Sequence, residues 1–158
     1  MATTYDAIED GIKAVLNADG TPFKTVVTYG AQLSDGEIAD ELAKLESMAP
    51  AALVFYGGGE TNKGFGGDLL EEAVFTILVI AAARSRTASL RGDAQSVGVY
   101  ELLDYCRGNL HNVPGIEGIP NPLIWIGNRR FSLPGDRLTV AAYMCNFTAP
   151  VHYPDGPT

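Results

Sequence analysis

Residues 70–83 form a nearly continuous apolar run in which β-branched and aromatic side chains dominate. Val74, Phe75 and Ile77 belong to the residue types that favour extended structure. A strand that is apolar at successive positions is covered on both faces. The sequence therefore predicts a long central strand with packed layers on either side. The run is too short to cross a bilayer as a helix.

Helical and strand patterns lie on both sides of this run. Apolar residues at helical spacing predict a first helix around residues 4–16, a second over 34–49 and a third over 96–110. Short β-rich runs predict strands over 25–29, 51–56, 123–133 and 138–151, the last two joined by a hairpin turn around 134–136. Segment 84–95 lacks apolar periodicity and is predicted to be a long loop.

This element order predicts the α+β class. We expect a mainly antiparallel central sheet of about four to five strands with two to three helices packed on it. A chain of 158 residues suggests one domain. We place that domain over residues 1–150 and expect residues 151–158 to be an extended C-terminal tail, which is mobile or docked on a neighbour.

Residues 57–68 contain a glycine cluster after a predicted strand and are interpreted as a flexible loop. A phosphate-binding loop requires Gly-Lys-Ser/Thr after a fixed spacing, and Lys63 follows Asn62 and precedes Gly64. The dinucleotide fingerprint also fails, because the third glycine is missing and a strand follows.

The sequence offers no catalytic constellation, so we expect no enzyme, no cofactor and no metal site. The two histidines, His111 and His152, are predicted to lie in a loop and in the tail, and no G-x-S-x-G elbow surrounds a serine. The Glu71-Glu72 pair is interpreted as a solvated strand edge. Two cysteines, Cys106 and Cys145, lie in apolar patterns and are expected to be buried free thiols.

Charge is divided unevenly along the chain. Residues 1–72 carry 13 acids and 4 lysines, a balance of −9, whereas residues 73–158 carry 6 acids and 7 arginines, a balance of +1. The total of −8 argues against a general nucleic-acid binder. Two unlike regions would allow copies of the chain to pair, or they are simply two solvated faces. The acidic start lacks a signal-peptide pattern, so a cytoplasmic protein is expected.

Five arginines stand out in the second region. They are Arg84, Arg86 and Arg91 in the predicted loop and Arg129 and Arg130 in a predicted strand. Guanidinium groups suit carboxylates and phosphates alike. The arginines would therefore contact the acidic region of a neighbouring copy, or a passing phosphate backbone, or solvent alone.

Several segments, taken in order, resemble the Mu-like phage small tail-protein family. The segments are the helix near Ile8, VTYGAQL at 27–33, AALVFYGG at 51–58, the long strand before Arg84, RGD at 91–93 and GVYELL at 98–103. The resemblance covers roughly residues 5–150. That family is similar in size and element order to tail-terminator proteins.

The resemblance implies a structural virion protein of the phage tail, assembled in the cytoplasm of the bacterial host. Tail terminators have an α+β fold and form a hexameric ring that caps the tail tube and joins the head connector. The implied partners are other copies of the chain, the tail tube or sheath protein, a neck or head-completion protein and, transiently, passing DNA. No membrane partner is implied.

Two groups of site residues follow from this resemblance together with charge and loop length. Arg84, Arg86, Arg91, Arg129 and Arg130 are assigned to the lumen or to the subunit interface. The predicted loop residues Gly57, Gly58, Gly59, Lys63 and Phe65 are assigned to contacts with tube or neck. The alternatives are another neck or baseplate protein and a small-molecule-binding α+β domain, or an enzyme, that uses the 57–68 loop.

Overall fold

The structure, a computed structural model, describes residues 4–29, 44, 46–63, 69–131 and 139–153. Its helices are α1 (Thr4–Leu16), α2 (Arg86–Arg91) and α3 (Val99–Leu110). Its strands are β1 (Thr25–Thr28), β2 (Ala51–Lys63), β3 (Leu69–Ala82), β4 (Ile124–Arg130) and β5 (Val140–Tyr153). The predicted second helix falls mostly outside these residues, and its described part, residues 44 and 46–48, is helical.

The five strands form one sheet in the order β1-β2-β3-β5-β4. β1 pairs with β2 in parallel, and the β2–β3, β3–β5 and β4–β5 pairs are antiparallel. The predicted α+β class is confirmed, with a sheet that is mixed because β1 runs parallel to its neighbour. The predicted central strand is also confirmed, since β3 lies in the middle of the order.

Both faces of β3 are packed, which explains its continuous apolar run. On the first face, Phe75 and Ile77 join a core with Ile8 and Ile12 of α1 and Leu102 of α3. On the second face, Leu78 and Ile80 pack in a separate cluster that includes Leu53 and Ala142. α1 packs against β1 and β2, whereas α3 packs against β3, β4 and β5. The two helices therefore lie over opposite halves of the sheet.

The predicted loop at 84–95 is wrong for residues 86–91, which form α2. Ser85 caps this helix, and its side-chain oxygen accepts a hydrogen bond from the Ala88 amide at 3.2 Å. The helix is short and its buried residues are Ala88 and Ser89. Because only these two small residues are buried, the segment has no apolar periodicity. The helix could therefore not be predicted from the sequence.

The predicted loop at 57–68 is wrong for residues 57–63, which continue β2 to Lys63. The strand passes through a β-bulge between Tyr56 and Gly59, and Gly58 has a φ of 104° that disfavours other residues. The glycines therefore belong to a crowded, bulged strand. Residues 64–68, with Phe65 among them, lie outside the described residues.

The predicted tail begins inside β5, which continues to Tyr153. Residues 150–153 pair with the start of β3, where Tyr153 lies opposite Leu69. Residues 151–153 of the predicted tail are therefore extended and belong to the sheet. Residues 154–158 lie outside the described residues.

Candidate assembly surfaces

β4 forms one edge of the sheet, and in the described part of the chain it pairs with β5 alone. Arg129 and Arg130 lie at its end, as the sequence predicted, and both side chains are exposed. Arg130 is opposite Tyr143 and Arg129 is opposite Met144. Because successive side chains of a strand point to opposite faces, Arg129 and Arg130 lie on opposite faces of the sheet.

Arg130 lies opposite Tyr143 in the β4–β5 register, and Arg130 and Arg86 are both near enough to Tyr143 to affect its ionisation. The ring of Tyr143 contacts the ring of Tyr100 in an edge-on arrangement, with centroids 6.2 Å apart. Burial raises the pKa of Tyr143 and Tyr100 raises it further, whereas the positive charges of Arg130 and Arg86 oppose this shift. We call Arg86, Tyr100, Arg130 and Tyr143 the arginine–tyrosine patch.

The other three predicted arginines lie outside this patch. Arg84 follows β3, Arg91 is the last residue of α2, and Arg129 is on the opposite face of the sheet from Arg130. All three side chains are exposed. The structure thus divides the predicted arginine group instead of gathering it at one point.

The candidate arginines have no carboxylate partner among the described residues. Ion pairs in that part of the chain join Lys13 to Asp10 and Arg107 to Asp104, both within a helix. Arg107 also lies over the ring of Trp125 at 5.5 Å. Arg86 and Arg130 are exposed, and no described carboxylate pairs with either of them.

Acidic side chains gather on the other half of the sheet. α1 packs on β1 and β2, and it exposes Asp6 and Asp10. Glu60 is exposed on β2. The separation of charge along the sequence thus becomes a separation across the molecule, from an acidic β1–β2 side to a basic β4 side.

The β4 edge is apolar as well as basic. Ile124 is 40% exposed and Ile126 is 54% exposed, which are high values for large aliphatic side chains. A bulge between Trp125 and Gly127 interrupts the pairing with β5. Residues 111–112 bond to this edge at Leu123 and Trp125. From Ile126 onward it has no partner among the described residues, and an open strand edge with an exposed aliphatic residue readily pairs with another chain.

Glu71 differs most from its sequence-based prediction. The prediction of a solvated edge is wrong for it, because its side chain is 5% exposed. Tyr5 donates to its Oε1 at 2.5 Å, Tyr153 donates to the same oxygen at 3.1 Å, and Tyr56 donates to its Oε2. Burial by itself would raise the pKa of Glu71, but the three hydroxyl donors outweigh it and lower the pKa.

The remaining candidates have structural roles in the described residues. Gly57 and Gly59 lie in β2, and the backbone of Lys63 pairs with Leu69. His111 accepts the Trp125 amide through Nδ1 at 3.0 Å. Cys106 and Cys145 are buried and unbonded, as predicted.

Metal-binding clusters and membrane-spanning helices are both absent from the described residues. Among them, no group of three His, Cys, Asp or Glu residues has a geometry that could hold a metal ion. None of the described helices has the length and hydropathy required to span a membrane.

Comparison with known protein families gives one match over nearly the whole chain. Residues 1–151 match the family described as Bacteriophage Mu, Gp37. No curated protein matches the sequence.

Proposed function

This chain belongs to the Bacteriophage Mu, Gp37 family, and from that premise we propose that it is a tail terminator that acts by forming a ring. Membership indicates a phage structural, tail-related protein. In the proposed role, a hexameric ring caps the tail tube in the virion, stops its polymerisation and presents the surface that joins the head. The protein performs no chemistry on a substrate.

The observation that carries the proposal is the contrast between the two sides of the sheet. A closed ring needs head-to-tail contacts, in which one surface of a copy meets a different surface of the next. The β1–β2 side carries Asp6, Asp10 and Glu60, whereas the β4 side carries Arg130 and the exposed isoleucines. These unlike surfaces support association of each copy with the next around a ring.

The arginine–tyrosine patch is the proposed basic half of this contact. Arg86 and Arg130 lack a carboxylate partner in the described chain and can bind one from the neighbouring copy. An exposed ion pair contributes only about 0–1 kcal/mol. Burial of apolar area on Ile124 and Ile126 therefore has to supply much of the association energy, at about 25 cal/mol per Å².

The opposite end of the sheet suits a contact with the tube or neck. Among the described residues, β1 pairs with β2 as far as Val54, and β4 pairs with residues 143–148 of β5. Beyond these points β2, β3 and β5 continue as a three-stranded extension. We call residues 57–63 and 69–73 of this extension the outer hairpin, and we assign it to the tube or neck contact.

A gene deletion tests the role directly. In an induced prophage that lacks this gene, tail tubes should be variable or excessive in length and should fail to join heads, as measured by electron microscopy of the lysate. Tails of normal length that join heads would contradict the proposal. Tails of normal length that fail to join heads would instead indicate a neck or baseplate protein.

Purified protein tests the mechanism. Wild-type protein added to a lysate of the deletion strain should restore infectious particles, and Arg86→Glu/Arg130→Glu protein should not. Arg84→Glu/Arg129→Glu is the matched control, because it reverses the same number of charges at exposed arginines outside the patch. If the double variant restored infectious particles as well as the wild type, the patch would not be part of the interface.

A further inference from the structure

Glu71 lies where four separate parts of the fold meet. Its carboxylate extends from β3 on the first face of the sheet, and the tyrosines around it come from α1, β2 and β5. Tyr5 is in the first turn of α1, and Tyr153 is the last residue of β5. The cluster thus joins both ends of the described chain to the base of the outer hairpin.

The carboxylate has donors on both oxygens. Tyr5 donates to Oε1 and Tyr56 donates to Oε2. The single hydroxyl proton of Tyr153 is shared between the Tyr5 oxygen at 2.8 Å and Oε1 at 3.1 Å. The rings of Tyr5 and Tyr56 stack with centroids 4.3 Å apart, and Phe75 packs against both. The hydroxyls are therefore held in place by ring packing.

Within the described chain, the buried negative charge of Glu71 is stabilised by hydrogen bonds from hydroxyl groups, and no ion pair there includes Glu71. An ionised carboxylate only accepts hydrogen bonds, so it can satisfy three hydroxyl donors at once. A protonated carboxyl is itself a donor. After protonation, the three tyrosine hydroxyls and the carboxyl hydroxyl would have four protons to donate and fewer oxygen lone pairs to accept them than before. Little water can reach Glu71 to accept the remainder, because its side chain is 5% exposed.

We propose that Glu71, Tyr5, Tyr56 and Tyr153 form a proton-sensitive latch, which holds the outer hairpin against both ends of the domain while Glu71 is ionised. Protonation of Glu71 opens the latch, and the outer hairpin then loses its contacts with α1 and with the end of β5. This inference concerns the folded chain and holds whether or not the protein terminates tails.

The direction of the pH effect follows from the hydrogen bonds. Because the pKa of Glu71 is lower in the folded state than its ordinary value of 4.5, the latch is closed above that value and opens as the pH falls through the folded pKa. The titratable groups bonded to Glu71 are Tyr5, Tyr56 and Tyr153, and the pKa values of Tyr5 and Tyr56 are raised. The hydroxyls of Tyr5 and Tyr56 therefore stay protonated throughout the acid range.

Two acids near the latch behave differently. Glu9, on α1, accepts the Tyr56 amide at 3.2 Å, and burial raises its pKa. Its titration therefore acts in the opposite direction to that of Glu71. Glu72 is exposed on the second face of the sheet, next to Glu71 in sequence. It provides a matched control for removal of one negative charge.

Amide hydrogen exchange of the whole protein tests the latch, with rates corrected for the intrinsic effect of pH. In the wild type, exchange of the outer hairpin should accelerate on acidification before the amides of α3 do. At neutral pH, Glu71→Gln should accelerate exchange in the outer hairpin by on the order of tenfold or more and should abolish the acid-induced change. Glu72→Gln should behave as the wild type.

Tyr153→Phe provides a second variant that keeps the charge and two of the three donors. Loss of one donor raises the pKa of Glu71, so acid opening of the outer hairpin should move to higher pH. An unchanged midpoint in Tyr153→Phe would overturn the latch. So would acid-induced exchange in Glu71→Gln that matches the wild type.

Discussion

A Cβ atom on Gly59 would lie 2.5 Å from Oε2 of Glu71 and 2.9 Å from the backbone oxygen of Glu72. The glycine thus leaves space for the carboxylate that the three tyrosines bind. Gly57 is similar, because its Cβ would lie 3.0 Å from Oγ1 of Thr76. Gly57 and Gly59 therefore permit the close packing of β2 against β3, whereas a Cβ on Gly58 would meet open space and that position favours glycine through its φ of 104°.

Gly59→Ala should destabilise the protein by about 1–3 kcal/mol, because the added methyl group displaces Glu71 or the β3 backbone. Urea unfolding followed by circular dichroism measures the change. Gly108→Ala is the control, since Gly108 lies in α3 with open space around its Cα. That substitution should stabilise the protein by about 0.5–1 kcal/mol. Similar effects at both positions would contradict the crowding.

Thr76→Val should also destabilise the protein. Thr76 is 4% exposed, and its hydroxyl donates to Oδ1 of Asn146 at 2.8 Å between β3 and β5. Removal of the donor takes this hydrogen bond from the half-buried Asn146 side chain, which costs about 0.5–1.5 kcal/mol. Thermal unfolding measures the loss. Thr28→Val, at an exposed position of β1, should change stability by less than about 0.5 kcal/mol.

Glu9→Gln should increase stability more at neutral pH than in acid. Burial raises the pKa of Glu9, so its contribution is fully present below the ordinary value of 4.5 and is lost as the pH rises through the folded pKa. Glutamine keeps an oxygen for the Tyr56 amide and carries no charge. Urea unfolding between about pH 4 and pH 7 should show the gain growing with pH, and a gain that shrinks would refute this argument.

Both thiols should resist alkylation in the folded protein. Burial raises the pKa of Cys145 to about 12 and that of Cys106 well above its ordinary value, so the reactive thiolate is scarce at about pH 8. Mass spectrometry after iodoacetamide treatment should show no modification without denaturant and two in urea. Rapid labelling of the native protein would contradict the observed burial.

Long periodic or apolar segments were predictable from the sequence, and crowded contacts were not. α1, α3 and β3 have repeating apolar positions that follow directly from one buried face or two. In contrast, the partners of Glu71 lie 15, 66 and 82 residues away in the sequence. No local sequence pattern reveals such a cluster. A run of glycines is typical of a loop, and only the β2–β3 register shows that these glycines lie in a strand.

The candidate interface was likewise predictable in one part, the charge distribution, and not in the other, the positions of its arginines. The separation of acids from arginines can be read from composition, because it needs only counting along the chain. The nearness of both arginines to Tyr143 cannot be read in this way, because Arg130 is placed there by the β4–β5 register and Arg86 by α2, which packs on β5. Arg129 separates from Arg130 for the same reason, since neighbours on a strand face opposite ways.

Association between copies should weaken as salt is added, if the arginine–tyrosine patch binds acidic side chains of the next copy. The Debye length falls from about 10 Å at 0.1 M salt to about 3 Å at 1 M, so attraction between exposed charges is screened. Sedimentation velocity at fixed protein concentration should show wild-type assemblies dissociating over this range. Arg130→Glu should associate least at low salt, because it places a negative charge against the acidic side, and added salt should relieve that repulsion. Wild-type assembly that is insensitive to salt would mean that Ile124 and Ile126, rather than the arginines, determine the contact.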